Sequence, residues 1–294
     1  MKRLASIASA VACLAAAPAF AASTATATLD NIQITLYKLN PLLAGATSIT
    51  FSDTALSYGN YVSASAFDNQ SGQLSSVNAS GATAFDPVSV NTTGVSNAWA
   101  SANVSGPGTA IGSSLSASGT ALGTATGGAH SNFQASADSS YFYNQNFTLS
   151  ANTVALFSVT ASLSATVTAT FDPAASGQPE HASAYSSLSI DGVGALGAGS
   201  QSTSNHQSIA SDSQSVADPS CTSGYCYVGQ SQSRSTGLSG SFINATANTL
   251  AGNMYATAAV NGYSNAALVP EPSSYALMLA GLASIGFIAR RRRG

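Results

Sequence analysis

The chain has 294 residues, enough for one large or two modest domains, and only 6% of them are Asp, Glu, Lys or Arg, against about 25% in an average soluble protein. Six of the eight basic residues lie in the terminal segments, so residues 22–269 set Lys38 and Arg234 against ten acidic residues and carry a formal charge of about −8. That balance excludes a nucleic-acid surface, which needs Lys and Arg to neutralise phosphates, and leaves solubility to hydroxyls and amides, Ser and Thr making up about a quarter of the chain.

Lys2 and Arg3 open the chain, the apolar run Leu4 to Ala17 follows, and Ala19-Phe20-Ala21 closes the segment. A basic start, a short apolar run and small residues at the cleavage positions describe a secretory signal peptide. Residues 1–21 are therefore expected to be removed by signal peptidase, which reads Ala19 and Ala21. Cys13 lies inside the apolar run and has no role beyond filling it.

The stretch from residue 22 to 267 shows a period of two throughout, with no convincing amphipathic helix. Ile32, Ile34 and Leu36 alternate with polar neighbours. So do Val62-Ala64-Ala66, Ala98-Ala100-Ala102-Val104, Phe133-Ala135-Ala137 and Tyr255-Thr257-Ala259. The longest run, Val154 to Phe171, puts Ala155, Phe157, Val159, Ala161, Leu163 and Ala165 on one face and Ser or Thr on the other. It reads as a half-buried antiparallel strand long enough to bend or cross between sheets. Turn signals separate the runs, at Asn40-Pro41, Asp86-Pro87, Gly106-Pro107-Gly108, Gly127-Gly128, Asp172-Pro173, Asp218-Pro219 and Asn261-Gly262. The expected fold is all-β: a large antiparallel β-sandwich, jelly-roll-like, as an ectodomain between the signal peptide and a C-terminal transmembrane helix. A β-solenoid is the alternative, and the lack of a fixed repeat length weighs against it.

Residues that carry chemistry are sparse in this region. His130, His181 and His206 are far apart in sequence without partners at metal-ligand spacing, and each is expected on the surface. The carboxylates are scattered, several of them flanking Pro or Gly in turns, and no G-x-S-x-G nucleophile elbow occurs. No metal or cofactor is expected. Tyr58 with Tyr61, Tyr141 with Tyr143, and Tyr225 with Tyr227 could each present two rings on one strand face, suited either to sugar stacking or to ordinary strand packing. Six Asn-x-Ser/Thr sequons, at Asn69, Asn78, Asn91, Asn103, Asn146 and Asn244, are close to what chance supplies in so Asn-, Ser- and Thr-rich a chain. Cys221 and Cys226 stand in "CTSGYC". In an exported protein this pair is expected to form a disulfide that pins a hairpin tip. So short a loop adds little global stability.

The tail, residues 268–294, begins at Pro270-Glu271-Pro272. Ser273 to Ala289 then carries no charge, and Arg290, Arg291, Arg292 and Arg293 follow directly. A helix of that length spans about 25 Å, short against a hydrocarbon core of about 30 Å but workable with snorkelling arginines. Pro270 and Pro272 block helix continuation upstream, so a transmembrane helix is expected over about 274–289. Under the positive-inside rule the four arginines stay cytoplasmic as a stop-transfer clamp. The body is then outside the inner membrane.

Pro-Glu-Pro, a short hydrophobic helix and a terminal arginine cluster, in that order, resemble the PEP-CTERM sorting signal of exported proteins of Gram-negative bacteria. The resemblance implies recognition by an exosortase, with Pro270, Glu271 and Pro272 as the residues read. It also implies an association with machinery for exported polysaccharide. "LDNIQITLYKLNPLLAGATSITF" is similar to the opening of other PEP-CTERM ectodomains, which implies a shared β-rich scaffold. The expected protein is a non-enzymatic cell-surface or matrix protein, anchored transiently in the inner membrane and then associated with exopolysaccharide in a biofilm. The alternatives are a carbohydrate-binding module, a polysaccharide-acting enzyme, or a self-assembling surface fibre whose Ser/Ala/Thr strands lack guarding charges.

Overall fold

A computed structural model describes residues 22–51, 59–123, 130–140, 146–168, 170–172, 180–195, 204–220 and 225–264. Among these residues the chain is all-β. In chain order the strands are β1 (Ala22–Lys38), β2 (Ile49–Phe51), β3 (Tyr61–Asp68), β4 (Gln73–Ser80), β5 (Val88–Asn91) and β6 (Ala98–Ser105). Next come β7 (Ser114–Leu122), β8 (Ser131–Asp138), β9 (Phe147–Leu149), β10 (Thr153–Val167), β11 (Thr170–Asp172) and β12 (His181–Asp191). The last are β13 (Ser204–Gln214), β14 (Val216–Ala217), β15 (Tyr225–Val228), β16 (Gln230–Asn244) and β17 (Leu250–Ser264).

Every pairing is antiparallel. Sheet I runs β16-β10-β1-β7-β6-β5, and sheet II runs β13-β12-β17-β8-β3-β4 with β9 and β2 added on β17. A small third sheet joins β11, β15 and β14. Sheets I and II face each other strand over strand: β16 on β13, β10 on β12, β1 on β17, β7 on β8, and β6 on β3. Six strands along each path exceed the eight-strand total of a jelly roll. Consecutive strands pair as β3–β4, β5–β6–β7, β12–β13 and β14–β15. The central pairs, such as β1 with β10 and β17 with β8, close over long sequence separations.

The alternation in β10 comes out as read. Ala155, Phe157, Val159, Ala161, Leu163, Ala165 and Val167 are all buried, with Val154 and Leu156 and then, from Ser158 on, Ser and Thr outward. The long run also changes sheets: β10 ends at Val167 and β11 begins at Thr170 in the third sheet. β1 keeps its apolar side inward by a different device. Ala25, Ala27 and Leu29 are buried at odd positions and Ile32 at an even one. A β-bulge between Asp30 and Gln33 makes the switch, with Asn31 at φ 57°, a left-handed backbone that Asn tolerates better than most residues.

β17 corrects two expectations. Its core side is Met254, Ala256, Ala258 and Val260, so Tyr255, Thr257 and Ala259 form its outward side. Asn261-Gly262, read as a turn, lies inside the strand. The reason is a close approach: a Cβ on Gly262 would stand 2.6 Å from the Phe133 ring and 2.7 Å from Ser23 Oγ. Gly119 on β7 meets the same ring from the opposite sheet, its Cβ position lying 2.1 Å from Phe133 Cδ2. Glycine in a strand interior here marks a notch for another side chain.

Alanine is the commonest residue of the core, so burial energy is spread thinly, at roughly 0.8 kcal/mol per buried methylene-sized group. Phe133 is one of the large side chains that fill this core. At one pole the small residues give way to an aromatic cluster in which Phe147 meets Phe242 edge-on at 5.0 Å and Phe51 meets Phe85 at 6.2 Å. Two sequon asparagines are structural. Asn146 brackets Met254 with both amide atoms, and Asn244 donates to Leu149, Ser150 and Asn248 carbonyls.

Both ends of the body meet at the opposite pole. β1 starts at Ala22, whose N–H donates to Thr168 Oγ1 at 2.7 Å. β17 ends there at Ser264, paired with Ser131. Ser131 in turn donates to the Leu122 carbonyl at 2.6 Å, beside Ala22.

Candidate functional site

The outward face of sheet II gathers aromatic and titratable side chains that the sequence scatters. Outward positions are alternate residues of β3, β8, β17, β12 and β13, so the ladder register decides which of them become neighbours. One row runs Tyr61, Asp138, Thr257, Ser187 and Ser208 across five strands. Asp138 accepts hydrogen bonds from Tyr255 Oη at 2.6 Å and from Thr257 Oγ1. Two residues along β12 stands Tyr185, and four further His181. Tyr61, Tyr185, Tyr255 and Tyr263 are all half-buried, so each keeps a ring partly open to solvent.

At the strand ends nearer the paired termini, the His181 and Tyr263 rings stack at 5.6 Å and 29°. His181 Nε2 lies 2.6 Å from Asp212 Oδ1 on β13. Burial, and secondly the Asp212 charge, raise the Tyr263 phenol above its ordinary value. The expectation of a lone surface histidine is corrected at His181, which is three-quarters buried and held by a carboxylate and a ring. His130 packs on Phe67 at 5.9 Å, and His206 is exposed on β13.

Beneath this face, at the start of β12, Glu180 is 1% exposed. Its Oε1 accepts from Ser264 Oγ, while Oε2 has no hydrogen-bond partner. Its backbone is clamped by Ser215, whose Oγ accepts from the Glu180 N–H at 2.8 Å. Burial pushes the Glu180 carboxyl up to about 7, against the smaller opposing effect of the Ser264 hydrogen bond. Its composition gave no signal, because Glu180 stands alone between Pro179 and His181. Only the meeting of β12, Ser215 and the end of β17 buries it.

The arrangement can bind and orient polar ligands. Hydrolysis by a carboxylate pair needs two carboxyl groups about 5–9.5 Å apart. Asp138 and Asp212 lie on β8 and β13, separated by three inter-strand steps and by four residues along the strands, roughly 20 Å in all. Asp191 lies four residues along β12 from Ser187, the residue in line with Asp138. Among the described residues, no group of three or more His, Cys, Asp and Glu side chains gathers in metal-binding proximity.

The tyrosine pairs read from the sequence are redistributed. Tyr61 joins Tyr255 and Tyr185 on sheet II, and Tyr227 is buried in β15. Tyr58, Tyr141 and Tyr143 lie outside the described residues, as do Ala19, Ala21, Cys221, Pro270, Glu271, Pro272 and Arg290 to Arg293. Cys226 is placed only by the backbone of β15, so the disulfide also falls outside what is described. Among the described residues no helix is long and apolar enough to cross a membrane, and the expected transmembrane helix at 274–289 is not among them.

No curated protein matches the chain. The family model of the PEP-CTERM protein-sorting motif matches residues 268–293, four residues after β17 ends at Ser264. The chain therefore carries a C-terminal PEP-CTERM sorting motif, which implies export, membrane anchoring before sorting, and processing as an exosortase substrate.

Proposed function

We propose that the protein is a non-enzymatic surface or matrix protein that is exported, sorted through its tail and then held among extracellular polysaccharide. The sorting motif at residues 268–293 is the observation that carries this reading. Residues 274–289 span the inner membrane transiently, Arg290 to Arg293 stay cytoplasmic, and the exosortase reads Pro270-Glu271-Pro272. The body stands outside with the pole of Ala22 and Ser264 toward the membrane, because both chain ends leave the fold there. On sheet II, half-open tyrosine rings beside hydrogen-bonding carboxylates suit stacking and polar contact with sugars. The roughly 20 Å between Asp138 and Asp212, well beyond the spacing of a hydrolytic carboxylate pair, supports binding over hydrolysis by these two.

Fractionating cells with and without the exosortase tests the address. The tagged protein is expected in the matrix fraction of the parent and, at full length, in the inner membrane of the deletion strain. An unchanged distribution would refute sorting through the tail. Replacing Glu271 by Gln is expected to reproduce the deletion, with topology unaltered. If the purified protein hydrolyses any member of a panel of polysaccharides, peptides and esters, the non-enzymatic part of the proposal is wrong.

A further inference from the structure

The outward face of sheet I is chemically unlike that of sheet II. The register places Trp99, Thr120, Thr24, Thr166 and Ser231 in one row across β6, β7, β1, β10 and β16. The next two rows, through Thr26 and Thr28, repeat the pattern. Of the fifteen side chains in these three rows, thirteen are Ser or Thr, one is Asn103, one is Trp99, and none is charged. Hydroxyls recur about 4.8 Å apart across the strands and about 6.8 Å apart along them, and one row extends about 19 Å.

The hydroxyls are also held in place. Ser101 and Ser118 hydrogen-bond at 2.7 Å, Thr166 and Ser231 at 2.8 Å, and Ser162 and Ser235 at 3.2 Å. Each pairing fixes two rotors and leaves each oxygen with capacity for a further bond. Trp99, the chain's one tryptophan, is 47% exposed at the end of its row. An indole left half in water amid hydroxyls offers an apolar plane with a polar edge.

We propose that this face binds a neutral polysaccharide lying across the strands, with a sugar ring stacked on Trp99 and its hydroxyls bonded along the row toward Ser231. The ligand class follows by elimination and by complementarity. The three rows carry no charge, and the charge bordering them is the carboxylate of Asp30, which accepts from Thr28 Oγ1 at 2.9 Å, so the face attracts neither nucleic acid nor an anionic membrane. It lacks the cluster of apolar anchors that a protein partner would bury. A polymer of neutral rings edged with hydroxyls matches both parts of the surface, and fixed hydroxyls lower the ordering cost of binding. The proposal rests on the polysaccharide reading above but uses the opposite face of the sandwich, so one body would engage two chains.

The single tryptophan supplies the assay. Excited at the red edge of its band, the purified exported protein reports on Trp99 alone. Dextran, or soluble fragments of cellulose, are expected to shift its emission to the blue, and alginate is not. Trp99→Ala removes the reporter and is read instead by retardation in gels containing dextran, where it is expected to lose about tenfold or more in affinity, with Trp99→Tyr retaining most of it. Thr26→Asp leaves the indole in place, charges the centre of the next row and is expected to cost as much. The proposal is overturned if no neutral polymer moves the emission, if alginate binds equally well, or if Trp99→Ala binds as the parent does. It is also overturned if the emission shifts with protein concentration alone, which would mean that a second copy covers the face. Matrix association of Trp99→Ala in cells separates the two readings. If the variant stays in the matrix while its dextran binding matches the parent, this surface fails and the general function stands.

Discussion

Over three rows of sheet I the outward positions are Ser or Thr at nearly every crossing of five strands, and neighbouring hydroxyls pair with one another. On sheet II the same positions bring together Tyr61, Tyr185, Tyr255 and Tyr263 with Asp138, Asp212 and His181. Both faces come from one local rule, polar residues at alternate positions. They differ in what register lays side by side. Neutral, periodic rows suit a neutral, periodic ligand. A face with carboxylates, phenols and an imidazole offers directional donors and acceptors. A two-sheet body can therefore present two unrelated chemistries back to back, because nothing on one outward face touches the other.

What the faces share is the core between them, and disturbing it gives the largest effect. Phe133 crosses from sheet II into notches at Gly119 and Gly262. Phe133→Ala is expected to cost about 3–5 kcal/mol, measured by urea unfolding, and to degrade binding at both faces together. A loss confined to one face would show that the sheets are less coupled than this packing requires.

Glu180 tests the titratable side. Its folded carboxyl titrates at about 7 against an ordinary 4.5, so the folded state holds its proton more tightly than the unfolded chain. The associated stability is full below pH 4.5, falls as the pH rises through this window and is gone above about 7. The expected loss is roughly 3 kcal/mol. Glu180→Gln stays neutral and should flatten the stability profile between pH 4.5 and 7, read from melts across that range. A parent profile already flat there would mean that Glu180 is not buried as described.

Asp138 sharpens the contrast at a smaller scale. Asp138→Asn weakens the acceptor for Tyr255 Oη and Thr257 Oγ1, and a loss of about 1–2 kcal/mol is expected for this half-exposed, charge-assisted pair. The smallest effect belongs to the lattice. Ser101→Ala and Ser118→Ala should each change stability by about 0.5 kcal/mol or less, with a coupling in the double-mutant cycle of similar size. A coupling well above 1 kcal/mol would assign the hydroxyl pairs a folding role and weaken the case that they serve a ligand.

The strands were legible because alternation is local. Val62-Ala64-Ala66, Ala98 to Val104 and Ala155 to Val167 point inward as their period demands. β17 was not legible in the same way. It lies at the centre of sheet II with small or apolar residues on both sides, so Tyr255-Thr257-Ala259 and Met254-Ala256-Ala258 compete as core stripes. The facing strand β1 and its neighbour β12 decide between them. Asn261-Gly262 carries the composition of a turn, and the ring of Phe133 makes it a strand interior. Tyr61 was visible as one of a pair with Tyr58, but its neighbours across the sheet are Asp138 and Ser80, which no spacing links to it.

The sequence by itself determined the all-β class, because a period of two over most of the body admits little else. It also determined the sorting motif, whose Pro-Glu-Pro, apolar run and arginines are contiguous and need no fold to be recognised. Tertiary structure alone decided the rest: the burial of Glu180 against Ser264, the gathering of four tyrosines on sheet II, and the ordering of hydroxyls beside Trp99 on sheet I. The physical reason is register. Each face is assembled from strands far apart in the chain, and a slip of one residue in any of them would turn its outward side chains into the core.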